Sequence, residues 1–302
     1  MNLNIEKIKT LPKDMEICIL PHDNPDVDAI LSAVLLSKLL DFLNYKNKVI
    51  IFDKKISKDT LYICNLAGVN VKEFMVDSIK QESNVFLVDH YWCNHTNNVI
   101  GCIDHHPTNN IPDYHIYEYR KSCATANIIY SFMLEVNMPI TKEIVMMLGY
   151  AMLVDTTGFV GNKTVEEEAK ILPNLLQSFG IDYEKMKHES MLYTDIYNME
   201  MCDIINNGAK IYNYNNVNVK SSYLQLQKEI DKKTLFDILL YIKYELEKTE
   251  LFSLWVYIIY SIERNETICY YLKPNCEIIQ IRFNGILSRG NDIMPSIEKM
   301  YN

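Results

Sequence analysis

The sequence predicts an α/β protein: a mostly parallel N-terminal sheet with helices on both faces, followed by a smaller C-terminal α+β domain. In the first half, short β-rich apolar runs alternate with longer helical segments, the pattern of parallel strands joined by crossover helices. After about residue 190 the rhythm changes to apolar strands linked by short polar turns. At 302 residues the chain is also long for a single core.

Taken in order, Glu16–Leu20 is expected as a strand, Val27–Leu43 as a helix and Lys48–Phe52 as a strand. Lys58–Leu66 is expected as a helix, with Asn84–Val88 and Val99–Ile103 as strands. Helices are expected over Cys123–Glu135, Thr141–Leu153 and Thr164–Phe179, and polar sequence around Ile181–Ser190 separates the halves. An Asn-rich stretch, Asn206–Asn218, then leads to Ser221–Leu226 and a helix over Leu235–Leu246. Ser253–Ile262, Thr267–Leu272 and Glu277–Phe283 read as strands, and a last helix lies near Pro295.

Composition narrows the function classes. With 48% apolar residues and no apolar run of spanning length, the chain reads as soluble and globular, with no membrane partner. The start, MNLNIEKIKTLPKDMEI, lacks the design of a signal peptide. The 8 cysteines are scattered without a C-x-x-C pair, so reduced thiols and a cytoplasmic location are expected. A net charge of −9 argues against nucleic acid as a partner. An anionic substrate stays open, because bound divalent cations invert the local sign.

Four places in the first half end an apolar run with metal-capable side chains: His22/Asp26/Asp28, Asp89-His90, Asp104-His105-His106 and Asp155. A charged residue beside an apolar run ordinarily marks only where a strand surfaces, and Asp26 or Asp28 also suits a helix N-terminus. Four Asp-based instances in one domain, two of them carrying histidines, point further. Brought together, they would repel one another strongly without cations. Mixed imidazole and carboxylate ligation suits first-row metals such as Mn²⁺ or Co²⁺ better than bare Mg²⁺. Two such ions suit in-line attack on phosphorus.

H-D-N-P-D-V-D-A-I-L-S from His22 to Ser32, Asp89-His90, the Asp104–His106 triplet and Asp155-Thr156 resemble the four ordered motifs of the DHH phosphoesterase superfamily. The H-x-N-P-D-x-D spelling, with a Ser-Arg turn near the C-terminus, most resembles manganese-dependent (family II) inorganic pyrophosphatases. The resemblance spans essentially the whole chain, implying a metal-binding DHH domain over 1–188 and a DHH-associated substrate-binding domain over 189–302. It places the active site in the interdomain cleft, with two divalent ions, Mn²⁺ foremost and Co²⁺ or Mg²⁺ as alternatives. His22 and Asp26 would hold one ion, Asp28, His105 and Asp155 the other, and Asp89 both, with the nucleophilic water between them. Asp104 would orient its neighbours, His106 would contact phosphate, and Lys210 and Arg289 would grip the other phosphate across the cleft. His90, His95, His115 and His188 fill no such place. The implied activity is phosphoanhydride hydrolysis by a metal-bridged hydroxide, in a protein that forms homodimers.

The chain departs from that pattern. Where the pyrophosphatases read S-R-K-K-Q, it has Ser288-Arg289-Gly290-Asn291-Asp292, with two lysines gone and a carboxylate added. Tyr91-Trp92 stands where the family has Asn-Glu, and Val154 where it has serine. The departures leave three alternatives to a pyrophosphatase: an exopolyphosphatase, a nucleotide phosphohydrolase, or a catalytically weak metal- or nucleotide-binding regulator.

Overall fold

A computed structural model describes residues 3–52, 56–80, 83–93, 98–108, 113–161, 163–191, 196, 199–215, 217–226, 229–249, 251–274 and 276–301. The chain divides into two compact units. Met1–Phe159 with Lys163–Met191 form the first, and Val160–Asn162 with Leu192–Asn302 form the second.

The first unit is built on five parallel strands: β1 (Glu16–Pro21), β2 (Lys46–Val49), β3 (Asn84–Val88), β4 (Val99–Asp104) and β5 (Ile116–Tyr119). Their order is β2-β1-β3-β4-β5. The helices are α1 (Leu3–Lys9), α2 (Val27–Phe42), α3 (Lys58–Leu66), α4 (Thr125–Glu135), α5 (Lys142–Asp155), α6 (Glu166–Ser178) and α7 (Tyr183–Ser190). The middle strands are buried along almost their whole length, as expected of a parallel sheet covered on both faces. Helix α2 is buried around most of its circumference, which explains why its sequence is apolar on every side rather than striped.

The sheet ends where the charged motifs begin. His22 follows β1, Asp89 follows β3, and Asp104 closes β4. Because β1, β3 and β4 are adjacent and parallel, all three motifs emerge at the same carboxyl edge, where open α/β sheets place their ligands.

The second unit is a five-stranded mixed sheet, β10-β9-β8-β7-β6, with β7 and β8 parallel and the other pairs antiparallel. Its elements are α8 (Met201–Asn206), β6 (Lys210–Tyr214), β7 (Val217–Leu226), α9 (Lys232–Thr249), β8 (Leu254–Ser261), β9 (Glu266–Leu272), β10 (Ile279–Asn284) and α10 (Met294–Tyr301). Central β8 is apolar throughout because both faces are covered. Trp255, Tyr257 and Ile259 pack with Ile238 and Ile242 of α9, whereas Val256, Ile258 and Tyr260 pack with Ile293, Met294 and Ile297.

Several boundaries differ from the sequence expectations. The polar stretch around Ile181–Ser190 contains α7, capped by Asp182 and anchored by buried Met186. The run expected as a strand over Lys48–Phe52 pairs earlier, at Lys46–Val49, and Ile51 instead bridges Met75. The Asn-rich stretch forms the β6–β7 hairpin. Arg289 opens a helical turn, Arg289–Ile293, rather than a tight turn.

Candidate metal centre

Each charged motif is positioned by a local structural device. Asp26 is the N-cap of α2, its carboxylate accepting from the Ala29 N–H at 3.2 Å. Asp28, one turn in, is buried and accepts from Ser32 Oγ at 2.8 Å. It also accepts the backbone N–H groups of Thr125 and Ala126 at 2.7 and 3.1 Å, so the N-terminus of α4 holds it as a bound anion. Asp89 leaves β3 with φ of 67°, a left-handed conformation uncommon outside glycine, and accepts from Thr125 Oγ1 at 2.8 Å. Asp155 is the last residue of α5, where the negative helix pole disfavours a carboxylate and calls for a nearby cation.

The two central histidines share one arrangement. His105 Nδ1 bonds the Ser122 carbonyl at 2.9 Å, and His22 Nδ1 bonds the Asp23 carbonyl at 2.8 Å. A carbonyl can only accept, so each Nδ1 carries the proton and each Nε2 presents a lone pair. His105 Nε2 lies 3.4 Å from Asp155 Oδ2, 3.5 Å from Asp89 Oδ1 and 3.8 Å from Asp28 Oδ2. His22 Nε2 lies 3.6 Å from both Asp26 Oδ2 and Asp89 Oδ2. Among the described residues, His105 Nε2 is buried without a hydrogen-bond partner. A lone pair facing three carboxylate oxygens is repulsive unless a cation lies among them, so the donor set fits divalent ions. The tethered Nδ1 is the outer contact expected of a ligating histidine.

Three overlapping groups have ligand atoms within 4.8 Å of one another: His22, Asp26 and Asp89; Asp28, His105 and Asp155; and Asp89, His105 and His106. All six residues singled out as ligands thus converge, and Asp89 is shared. Asp104 is buried beside them and accepts both the His106 N–H and Nδ1–H at 2.9 Å. Burial alone pushes the Asp104 carboxyl up, but the His106 contacts bring it below its ordinary range. Burial, reinforced by the charge of Lys163, lowers His106 to about 4, leaving it a neutral imidazole. Burial likewise lowers His90 to about 4, and it bonds the Val88 carbonyl rather than joining the cluster. His188 lies in α7, the His115 carbonyl accepts from Lys7, and His95 lies outside the described residues.

One residue of this cluster escaped the sequence reading. Lys163, in the Gly-Asn-Lys-Thr segment after α5, turns inward onto Asp155. A lone lysine beside glycine and asparagine reads as a solvated turn, and its only sequence signal was a carboxylate ending a helix without a cation.

In the second unit, Lys210 opens β6 and Arg289 opens the helical turn after β10. The Arg289 guanidinium donates to the Gly208 carbonyl and lies 5.3 Å from the Tyr223 ring, which brings it to the segment carrying Lys210. The carboxylate of Asp292 is absorbed locally: it accepts the Ser288 N–H at 2.7 Å while Ser288 Oγ accepts from Asn291.

A stability prediction follows from the buried carboxylates. Burial, reinforced by Asp28 and the neighbouring aspartates, pushes Asp89 well above the carboxylate range, and burial also raises Asp28 despite His105. A folded pKa above the unfolded one contributes stability that is full below the unfolded value and lost as pH rises through the folded value. The metal-free chain is therefore weakened toward neutral pH. Mn²⁺ at a hundredfold excess over its dissociation constant is expected to restore about 2.7 kcal/mol per ion. Asp104 has the opposite sign, but it is common to both forms and cancels in the comparison. The drop in melting temperature on chelation should be larger at pH 8 than at pH 5, and an equal or absent drop would contradict this.

Comparisons with known proteins agree with this geometry. Residues 16–152 match the DHH family, N-terminal domain. A Bacillus cereus protein named "Probable manganese-dependent inorganic pyrophosphatase" is 26% identical over 214 residues, 68% of this chain and 69% of the relative. One of the same name from Lactobacillus johnsonii is 23% identical over 233 residues, covering 72% and 74%. Among solved structures, a Methanococcus jannaschii protein described as a family II inorganic pyrophosphatase superposes with a TM-score of 0.75 at 20% identity, covering 95% of this chain and 100% of that one. An exopolyphosphatase-related protein from Bacteroides fragilis superposes at 0.54 with 17% identity, covering 99% and 96%. Residues 16–152 are therefore similar to the N-terminal domain of the DHH family.

Proposed function

We propose that the protein is a two-metal phosphohydrolase acting on phosphoanhydride bonds, with inorganic pyrophosphate as its foremost substrate. The observation that carries this reading is the sharing of Asp89 between the His22–Asp26 and His105 groups, with Nε2 lone pairs aimed inward from both sides. When bound, the two ions supply an activated water and neutralise the charge that develops on phosphorus and the leaving phosphate.

The chain's own residues supply the rest. His22 and Asp26 would hold one ion, Asp28, His105 and Asp155 the other, and Asp89 both. The α4 N-terminus and the Ser122 carbonyl fix Asp28 and His105 without help from the metal. Asp104 keeps the His106 Nδ1 proton in place, so His106 Nε2 is the side of the ring left for the substrate. As the family resemblance implies, Lys210 and Arg289 are carried in this reading as phosphate-binding residues, Arg289 through a planar guanidinium suited to bidentate contact. Manganese is the foremost metal because the named relatives are described as manganese-dependent and the donor set is mixed histidine and carboxylate. A cytoplasmic location and a homodimer belong to the same reading. Among the described residues, no helix is long and apolar enough to cross a membrane.

A second reading keeps the chemistry and lengthens the substrate. Gly290 and Asn291 carry no charge where the pyrophosphatase pattern has two lysines, which favours a longer polyphosphate or a nucleotide.

The test is phosphate release by the Mn²⁺-loaded protein from pyrophosphate, tripolyphosphate, long-chain polyphosphate and nucleotides, with Asp155→Ala as control. Pyrophosphate turnover that falls at least about 10²-fold in the variant is expected, in line with losing an electrostatic contact to the reacting group. Turnover on longer substrates alone would favour the second reading. None at all with metal bound would favour a regulator.

A further inference from the structure

Lys163 is a half-buried cation that the proposed mechanism leaves unused. Its Nζ lies 2.6 Å from Asp155 Oδ1, 2.8 Å from Asp155 Oδ2 and 3.5 Å from His106 Nε2. Its side chain is only 18% exposed.

Lys163 reaches both Asp155 oxygens, and Oδ2 also faces His105 Nε2 at 3.4 Å, on the side of the ligand group. An ammonium has three donors and no acceptor. The Asp155 carboxylate takes up to two of them, and the remaining contact, to His106 Nε2 at 3.5 Å, is long for a hydrogen bond. His106 Nε2 is the atom proposed to meet substrate. What fits between a mobile point charge and a neutral imidazole, beside a metal centre, is an anionic oxygen.

We propose that Lys163 is a phosphate-binding residue of this site, retaining Asp155 with one N–H and giving another to a phosphoryl oxygen of the substrate beside His106. The inference rests on the phosphohydrolase reading and deepens it.

The experiment measures binding of methylene diphosphonate, a non-hydrolysable diphosphate, to the Mn²⁺-loaded full chain by calorimetry, with bound manganese counted in the same samples. Lys163→Gln is expected to weaken diphosphonate binding about 10- to 100-fold, the loss typical of a charge-assisted hydrogen bond. Its manganese content and melting temperature should match wild type, and Lys163→Arg should recover most of the affinity. Unchanged diphosphonate affinity in Lys163→Gln would overturn the assignment. So would loss of manganese from that variant, which would make Lys163 only a support for Asp155. If wild type itself bound no diphosphonate, the phosphohydrolase reading would fall and this inference with it, an outcome distinct from failure of the variant alone.

Discussion

Replacing Asp89 by asparagine is expected to lower Mn²⁺-dependent phosphate release on the order of 10³-fold and to remove bound manganese from both positions. The size follows from its place. A residue facing only one ion would cost one electrostatic contact, roughly 10²- to 10³-fold. Asp89 faces His22 at 3.6 Å on one side and His105 at 3.5 Å on the other, so the loss of its charge touches both ligand groups. Asparagine keeps the shape and can still accept from Thr125 Oγ1, so the fold should survive. The substitution also removes a buried carboxylate held well above its ordinary range, so the metal-free variant should melt no lower than the metal-free wild type. Metal analysis and steady-state rates on the purified variant check the expectation. Two ions retained with near wild-type turnover would show that Asp89 is not shared.

The second large effect lies in the other unit. Gly208→Ala is expected to destabilise it by about 2–5 kcal/mol, combining roughly 1–2 kcal/mol for a left-handed alanine with about 1–3 kcal/mol of overpacking. Gly208 has φ of 57°, and an added Cβ would stand 2.2 Å from Tyr223 Cε1. The Tyr223 ring cannot move alone, because Arg289 lies against it and donates to the Gly208 carbonyl. The KM for pyrophosphate should therefore rise while bound manganese stays unchanged. Denaturant unfolding and a KM-against-kcat comparison read the two consequences separately. A change below about 0.5 kcal/mol, the ordinary range of a surface substitution, would contradict this packing.

How far the molecule was legible in its sequence depended on whether a signal was local. Strands β1, β3 and β4 were readable because buried parallel strands are short apolar runs, and each ends on the charged residue that marks the sheet's edge. Strand β8 was readable for the same reason, with both its faces covered. Strand β5 was not, since its four residues include Glu118, a carboxylate that accepts from Asn4 of α1 113 or more residues earlier in the chain. Strand β6 alternates Ile211 and Asn213 outward, so its composition resembles a loop. Five of the six residues singled out as ligands follow, close or cap an element, as Asp26 does, and Asp28 sits in the first turn of α2. Their convergence was legible because adjacency in the sheet follows from the alternation of strands and helices.

Lys163 and Asp292 show where such reading stops. Lys163 looked like a turn lysine, and only the path of the chain after α5 turns it onto Asp155. Asp292 looked like a carboxylate intruding on an anion site, whereas the folded turn spends it on the Ser288 N–H. Both cases concern charge, because the sequence lists charges without their partners.

The central claim is that two divalent ions held around Asp89 drive phosphoanhydride hydrolysis. The most direct test titrates Mn²⁺ into metal-free protein, recording initial rates of phosphate release from pyrophosphate alongside manganese bound per chain. The account predicts no release without metal and activity that rises with the second equivalent bound. Release that persists in excess chelator would contradict it, as would two ions bound with no hydrolysis of any phosphoanhydride.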